Sequence, residues 1–425
     1  MTATTYRFIQ YCCIYLYPTG INAKAKTIML FMLRNLPSPF SIVVLAAVIA
    51  GLMISCKRTP ADLPKSVAIS TEFNVASTCS ELYMTAKHDL QGKEYLYVAA
   101  KEGGLKIYDL SNNPKLKKTV SLSQLDSLEV MNLTQSGNYL FLALGNHFGT
   151  GLQSPGMAII DVSDPVNPIV KSIWKDPTKI SGAAIVEVDG NYAYLGAMRS
   201  GLVIFDISDK TAPVVESVFV PSTTYPDPNP DLTKFNARGM TVNEDLLYLC
   251  YDAGGLRVID ITDKQNPVEV GNYVNPAMSG KPRAYNNIVV DDTLAYVAVD
   301  YCGMEVLNIK DPANIQLVDW WNPWRCETNA LNWFVSDGHS NEIVFDKLHK
   351  LVFMATGKSD MDVVDVHDPK QLATRFEYGG VNNGIGTWGL SIYKDNIYLS
   401  YICNALSWPF PSNWTGVRIL KYEVY

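Results

Sequence analysis

One short pattern recurs along most of the chain: a glycine, alternating apolar residues, and an acid in the sixth place. The copies are GLKIYD at Gly104, GMAIID at Gly156, GLVIFD at Gly201, GLRVID at Gly255, GMEVLN at Gly303, DMDVVD at Asp360 and GVRILK at Gly416. Their sixth positions run from Asp109 to Lys421 at a mean spacing of about 52 residues, a period that suits a four-stranded propeller blade and exceeds most helical repeats. A length of 425 residues would otherwise suggest two or three domains. The repeats replace that division with a single ring.

Each copy follows a second β-rich run, such as YLYVAA at Tyr95, YAYLGA at Tyr192, LYLCYD at Leu247 and IYLSYI at Ile397. Turn signals such as Ser136-Gly137-Asn138 and Asp189-Gly190-Asn191 separate these runs from a still earlier strand. A fourth strand follows a Pro-containing turn, as in NPIVKSIW at Asn167 and APVVESVF at Ala212. Each unit therefore reads as strands a, b, c and d. One strand b position is small in all seven copies (Ala99, Ala143, Gly196, Cys250, Ala298, Ala355, Ser400), as close stacking of sheets requires. The fold class expected is all-β, a seven-bladed β-propeller of four-stranded antiparallel blades over residues 67–425. The last copy stops after strand c, while VAISTEF at Val67 precedes the first, so N-terminal strand pairing with the last blade is expected to close the ring.

These repeats, GLVIFDISDKTAP and GLRVIDITDKQNP above all, resemble the LVIVD repeat of bacterial exported β-propellers. The resemblance spans roughly residues 67–425 and implies export and propeller architecture, with no reaction attached. The later copies depart from it at Asn308, Asp360 and Lys421.

Residues 1–55 read as an upstream extension and a signal peptide. Phe40 to Ile54 is a charge-free apolar run preceded by Arg34, too short as a helix to cross a hydrocarbon core of about 30 Å. It ends in Leu52-Met53-Ile54-Ser55-Cys56, which resembles a bacterial lipoprotein lipobox with Met53 where Leu is preferred. The resemblance implies that Cys56 is lipidated and that the mature protein is anchored to the bacterial outer membrane, with the periplasmic and cell-surface sides as alternatives. Residues 56–66 then form the lipidated cysteine and a tether. Initiation at Met29 or Met32 would give the signal a more usual form. The leader holds Arg7, Lys24, Lys26 and Arg34 and no acid, so the chain's net charge of −7 becomes about −11 after cleavage. That acidity, with no basic block among aromatics, excludes a nucleic-acid partner.

Of the remaining cysteines, Cys79 and Cys403 belong to blades that closure makes neighbours, and Cys302 and Cys326 both fall on loops around blade five. The expected disulfides are Cys79–Cys403 and Cys302–Cys326, with Cys250 a buried thiol. The paired acids of DVSDP at Asp161, DISDK at Asp206 and DITDK at Asp260 invite a calcium reading. Their repetition in blade after blade, without a D-x-D-x-D-G loop, is better explained by side-chain-to-backbone turn bonds, so no metal and no cofactor is expected.

In a propeller the b-to-c and d-to-a loops share one face. All the long insertions fall there, at Gly145, Pro221, Asp319, Arg375 and Cys403, and seven of the eight tryptophans lie between residues 320 and 414. Scaffolds of this kind carry function on the elaborated face. The candidate ligand-binding residues are Trp324, Arg325, Trp333, His339, Trp408, Trp414 and His147, which suit a glycan or an extended peptide; about half of the tryptophans are expected to pack beneath the loops instead. The five histidines form no H-E-x-x-H spacing and no G-x-S-x-G elbow occurs. His147 and His339, the latter with Asp337 as orienter, keep a hydrolase or lyase as one alternative. A scaffold subunit of an outer-membrane protein complex is another.

Overall fold

The computed structural model describes residues 66–77, 79–149, 151–329, 335–380, 386–403 and 412–425. The leader, Cys56 and the tether through Lys65 lie outside the described residues, as do Trp333 and Trp408.

Seven four-stranded antiparallel sheets form the blades of a propeller. In blade 1 the order from the centre outward is a (Thr85–His88), b (Tyr95–Ala99), c (Leu105–Asp109) and d (Lys115–Val120), and blades 2 to 6 repeat it. Each inner strand packs against the inner strands of both neighbouring blades, which closes a ring around a central channel. Blade 7 takes strands a to c from Thr387–Tyr393, Asn396–Tyr401 and Thr415–Val424, and its outer strand is Val67–Ser77. That strand runs antiparallel to strand c from Val67 opposite Val424 to Ser77 opposite Thr415. The last sheet thereby has its fourth strand, and the ring joins its two ends.

The repeat has a physical cause at each position. Strand c alternates between the two faces of its blade, and both faces are covered by neighbouring sheets, so the motif is apolar throughout. Ile107, Ile159, Ile204, Val258, Val306 and Val363 are all closed to solvent. Strand c meets strand d with a β-bulge after each of these six residues, which adds twist at the same place in every blade. The leading glycine sits at positive φ in Gly104, Gly201, Gly255 and Gly303. A Cβ on Gly255 would also lie 2.2 Å from the Tyr273 carbonyl oxygen of strand d, so this position needs glycine twice over.

The acid that ends each motif closes the c-to-d turn. The carboxylates of Asp109, Asp161, Asp206 and Asp260 accept the backbone N–H two residues on at 2.7–2.9 Å, and Asn308 and Asp365 do the same in blades 5 and 6. The second acid builds another such turn: Asp164 accepts from Val166, Asp209 from Thr211 and Asp263 from Gln265. Donors from Ser163 and Ser208 hold the Asp161 and Asp206 carboxyls below the usual range. Every acid in this series is thus occupied by its own turn.

Candidate functional site

Both disulfides lie on the face that carries the long loops. Cys79, before the first inner strand, is bonded to Cys403 after strand b of blade 7, with Cα atoms 5.2 Å apart. Cys302 and Cys326 join the b-to-c and d-to-a loops of blade 5 at 5.3 Å. Cys250 is a buried free thiol.

Several of the aromatic side chains singled out above are absorbed by packing. Trp324 stands edge-on to Trp321, centroids 5.9 Å apart, and its ring covers the backbone of Gly338 so closely that a Cβ there would clash. Trp414 packs edge-on against Tyr401 and lies under the Arg418 guanidinium, which also covers Tyr378 and Tyr401. The Trp320 indole N–H donates to the Cys302 carbonyl and that of Trp321 to Thr374. Arg325 is exposed at the tip of the loop. His339 is fully buried, and its Nδ1 lies 2.7 Å from Asp300. The orienting acid is therefore Asp300, on the b-to-c loop of blade 5, and not Asp337, which is exposed on the loop outside. The reason is register: Ser340 donates its backbone N–H to the Asp300 carbonyl, which sets the two loops side by side.

What the ring brings together instead is the mouth of its channel. Consider the inner-strand residue just before the one opposite the small strand b position. In blades 1, 2 and 7 it is Met84, Met131 and Trp388; in blades 4, 5 and 6 it is Arg238, Asn286 and Asn341. One arc of the mouth is apolar and the opposite arc is polar. The b-to-c loop of blade 2 leans over both. Its Phe148 ring meets Trp388 of blade 7 with centroids 5.2 Å apart, beneath the Lys101 ammonium. Its His147 puts Nδ1 3.0 Å from the Ala183 carbonyl of blade 3.

Because a carbonyl only accepts, Nδ1 of His147 carries the proton and Nε2 presents a lone pair. Burial, reinforced by the nearby Arg238 charge, lowers the His147 pKa to about 3, so the ring is neutral at physiological pH. Nε2 meets no donor. The same holds for the side-chain oxygens of two rim amides: Asn286 and Asn341 donate their NH2 groups to the carbonyls of Ser340 and Thr387 in the next blade, while each buried Oδ1 has no partner among the described residues. Arg238 is half-buried and has neither an ion pair nor a side-chain hydrogen bond among the described residues. Asp252, on the loop beside it, is pushed up to about 6 by burial, against the pull of that guanidinium.

Deeper in the channel the inner strands carry Lys87 in blade 1 and Glu187 in blade 3, with Glu342 in blade 6 nearer the mouth. Burial raises the Glu187 carboxyl to about 7, and Glu342 accepts from the Leu390 backbone of blade 7 at 3.0 Å. Among the described residues no group of three or more His, Cys, Asp or Glu side chains is placed to hold a metal. Arg238, Trp388, Phe148 and the two asparagines carry no local motif. For all of them except Phe148, which is on the b-to-c loop of blade 2, a shared inner-strand register is the signal that could have found them.

The class the fold defines is a closed seven-bladed β-propeller, an architecture that fits a binding or interaction protein. The chain carries LVIVD repeats, matched at residues 91–121, 129–176, 182–219 and 236–275, the first four blades. No curated protein matches the sequence. Among solved structures, Saccharomyces cerevisiae Sqt1 superposes with a TM-score of 0.55 at 8% identity, covering 80% of this chain and 84% of that one. The computationally designed Ika8 protein gives 0.48 at 10% identity, covering 83% and 100%. The likeness to Sqt1 concerns the fold alone.

Proposed function

We propose that this protein is an exported, lipid-anchored binding propeller that takes a glycan or peptide ligand on its long-loop face, at the channel mouth. The observation that carries the reading is the contrast within one rim: the partly buried Trp388 with its aromatic neighbour Phe148 on one arc, and on the other the partly buried Arg238 guanidinium, which has no ion pair among the described residues. A turn-only scaffold would have no use for either. Glycan and peptide arrays probed with the full-length chain in detergent test it. Binding that is lost in Trp388→Ala and kept in Trp324→Ala supports the mouth as the site, and absence of any ligand sensitive to Trp388 removes the reading. Anchoring is tested separately by acyl labelling, which Cys56→Ser abolishes if that residue carries the lipid.

A second reading, a scaffold subunit docking an outer-membrane partner, draws on the outer edge of blades 3 and 4. There Val214, Val218 and Val268 are each 57% exposed beside a groove of about 610 Å³. Affinity capture from membranes with wild type and Val218→Lys separates the two readings.

A further inference from the structure

We propose that the turn face of the ring is the side apposed to the lipid surface, with blades 6, 7 and 1 lowest on it, so that the channel mouth opens away from the membrane. The inference rests on the anchored reading above and adds the surface that meets the lipid and the direction of the mouth.

The folded ring begins at one fixed point. Ser66 and Tyr425 exchange backbone hydrogen bonds, N–H to C=O in both directions at 3.2 and 2.9 Å, and Val67 stands opposite Val424. Strand c of blade 7 runs from the b-to-c loop to this end, so the chain enters the ring on the turn face, at the end of the blade away from the mouth. From Cys56 to Ser66 there are ten residue steps, which span at most about 35 Å when fully extended. Thr415–Val424 is 10 residues long and so rises about 30 Å. A mouth turned toward the lipid would need the tether drawn taut up the whole outer wall of blade 7, with almost nothing left to clear the long loops and reach the headgroups. With the turn face down, the same segment has nearly its whole length free.

The turn tips decide which part of that face is lowest. The a-to-b turns on either side of blade 7 present exposed leucines, Leu90 of blade 1 at 56% and Leu348 of blade 6 at 80%. At blades 2 and 3 the corresponding tips are Gly137 and Gly190, and at blades 4 and 5 they are the exposed acids Glu244 and Asp292. Single exposed leucines are ordinary on a protein surface. Two that flank the entry point of the anchored chain, with none at the tips of blades 2 to 5, are placed for the boundary between headgroups and acyl chains. The acids act in the opposite sense, because a carboxylate loses hydration at that boundary and is repelled by lipid phosphates. Chain entry, leucines and acids thus tip the ring the same way.

Energy transfer from the ring to the membrane reads this directly. The acylated full-length chain is placed in vesicles of phosphatidylethanolamine, with a minor share of phosphatidylglycerol and a headgroup-bound acceptor dye. A donor dye is attached to one introduced thiol: Asp395→Cys in the blade 7 turn, Asn191→Cys in the blade 3 turn, or Ile180→Cys on the long-loop face. All three sites are exposed, while Cys250 is buried and stays unlabelled. Transfer is expected to fall in that order, with Ile180 several-fold below Asp395. Adding Leu90→Ser with Leu348→Ser is expected to bring the Asp395 and Asn191 sites to equal transfer while Ile180 remains lowest. Equal transfer at Asp395 and Ile180 without the leucine changes, as for a ring lying edge-on, or the reverse order, overturns the inference and leaves anchoring intact. A difference between Asp395 and Asn191 that the leucine changes do not alter overturns the choice of blades 6, 7 and 1. If acyl labelling finds no lipid on Cys56, the anchored reading falls and this inference with it.

Discussion

The two faces of the ring are built on opposite rules. On the face of the c-to-d turns, blades 1 to 6 use the same carboxylate or amide in the same place to close the same turn, and these side chains are satisfied within a few residues of themselves. On the long-loop face the short b-to-c turn recurs in blades 1, 3, 4 and 6, but the long insertions do not repeat. Partners there come from other blades, as in His147 with Ala183 or Asn341 with Thr387, and several buried polar atoms have none among the described residues. Repetition in this molecule marks what each blade needs in order to fold. Departure from repetition marks the place where the ring as a whole can do something no blade does alone.

That contrast makes ordered claims about substitutions. The largest effect belongs to the ring seam: Cys403→Ser breaks a crosslink between residues 324 apart and is expected to cost about 2–5 kcal/mol in urea unfolding, with no counterpart on the turn face. Next comes glycine. Gly255→Ala, at positive φ and against the Tyr273 carbonyl, is expected to cost about 3 kcal/mol, whereas Gly190→Ala, in an open a-to-b turn at positive φ, should cost only about 1 kcal/mol. Equal costs would erase the difference in packing between the faces.

Acid titration gives a third handle. His147 is held neutral in the fold down to about pH 3, while the unfolded chain takes up that proton near its ordinary value. The unfolded state therefore binds more protons in that window. The stability this group contributes is present above about pH 6.5 and drains away as pH falls toward 3, by up to about 1.4 kcal/mol per pH unit. His147→Gln should flatten that part of the wild-type profile, and an unchanged profile would mean that the imidazole is not buried as described. On the turn face, Asp206→Ala should cost about 1 kcal/mol through its lost turn bonds. Smallest of all, Arg238→Gln should change the unfolding free energy by no more than about 0.5 kcal/mol, because among the described residues the guanidinium has no ion pair or side-chain hydrogen bond to lose.

How much of this could be read beforehand follows the same divide. The blades were legible because the sheet imposes its period on the sequence: Ala99 and Ser400 are small, and Gly255 is a glycine, for reasons local to one blade. Asn308 departs from the acid consensus, yet its amide accepts the Lys310 N–H just as a carboxylate would, so the turn survives the change. Asp360 is the harder departure. It takes a glycine's backbone conformation at φ 78°, and its carboxylate accepts from Tyr401 and faces Arg418 across the seam between blades 6 and 7. The site was less legible. Trp324 and Trp414 look like ligand platforms in one dimension, and only the fold reveals that Gly338 and Arg418 already occupy their faces. Arg238 is not legible in the sequence because its place at the channel mouth, beside His147 and Asp252, is a property of three dimensions.

The seam has a further consequence, in time instead of space. Val67–Ser77 is the first strand of the ring to be synthesised, and its partner Thr415–Val424 is the last. Six blades can form from neighbouring segments as the chain emerges, while the opening strand waits through some 340 residues for its place. Until then the nascent ring is an open arc with an unpaired edge at each end. Completion is consequently a single late event, and a chain cut short anywhere before residue 415 leaves that first strand with nothing to hold.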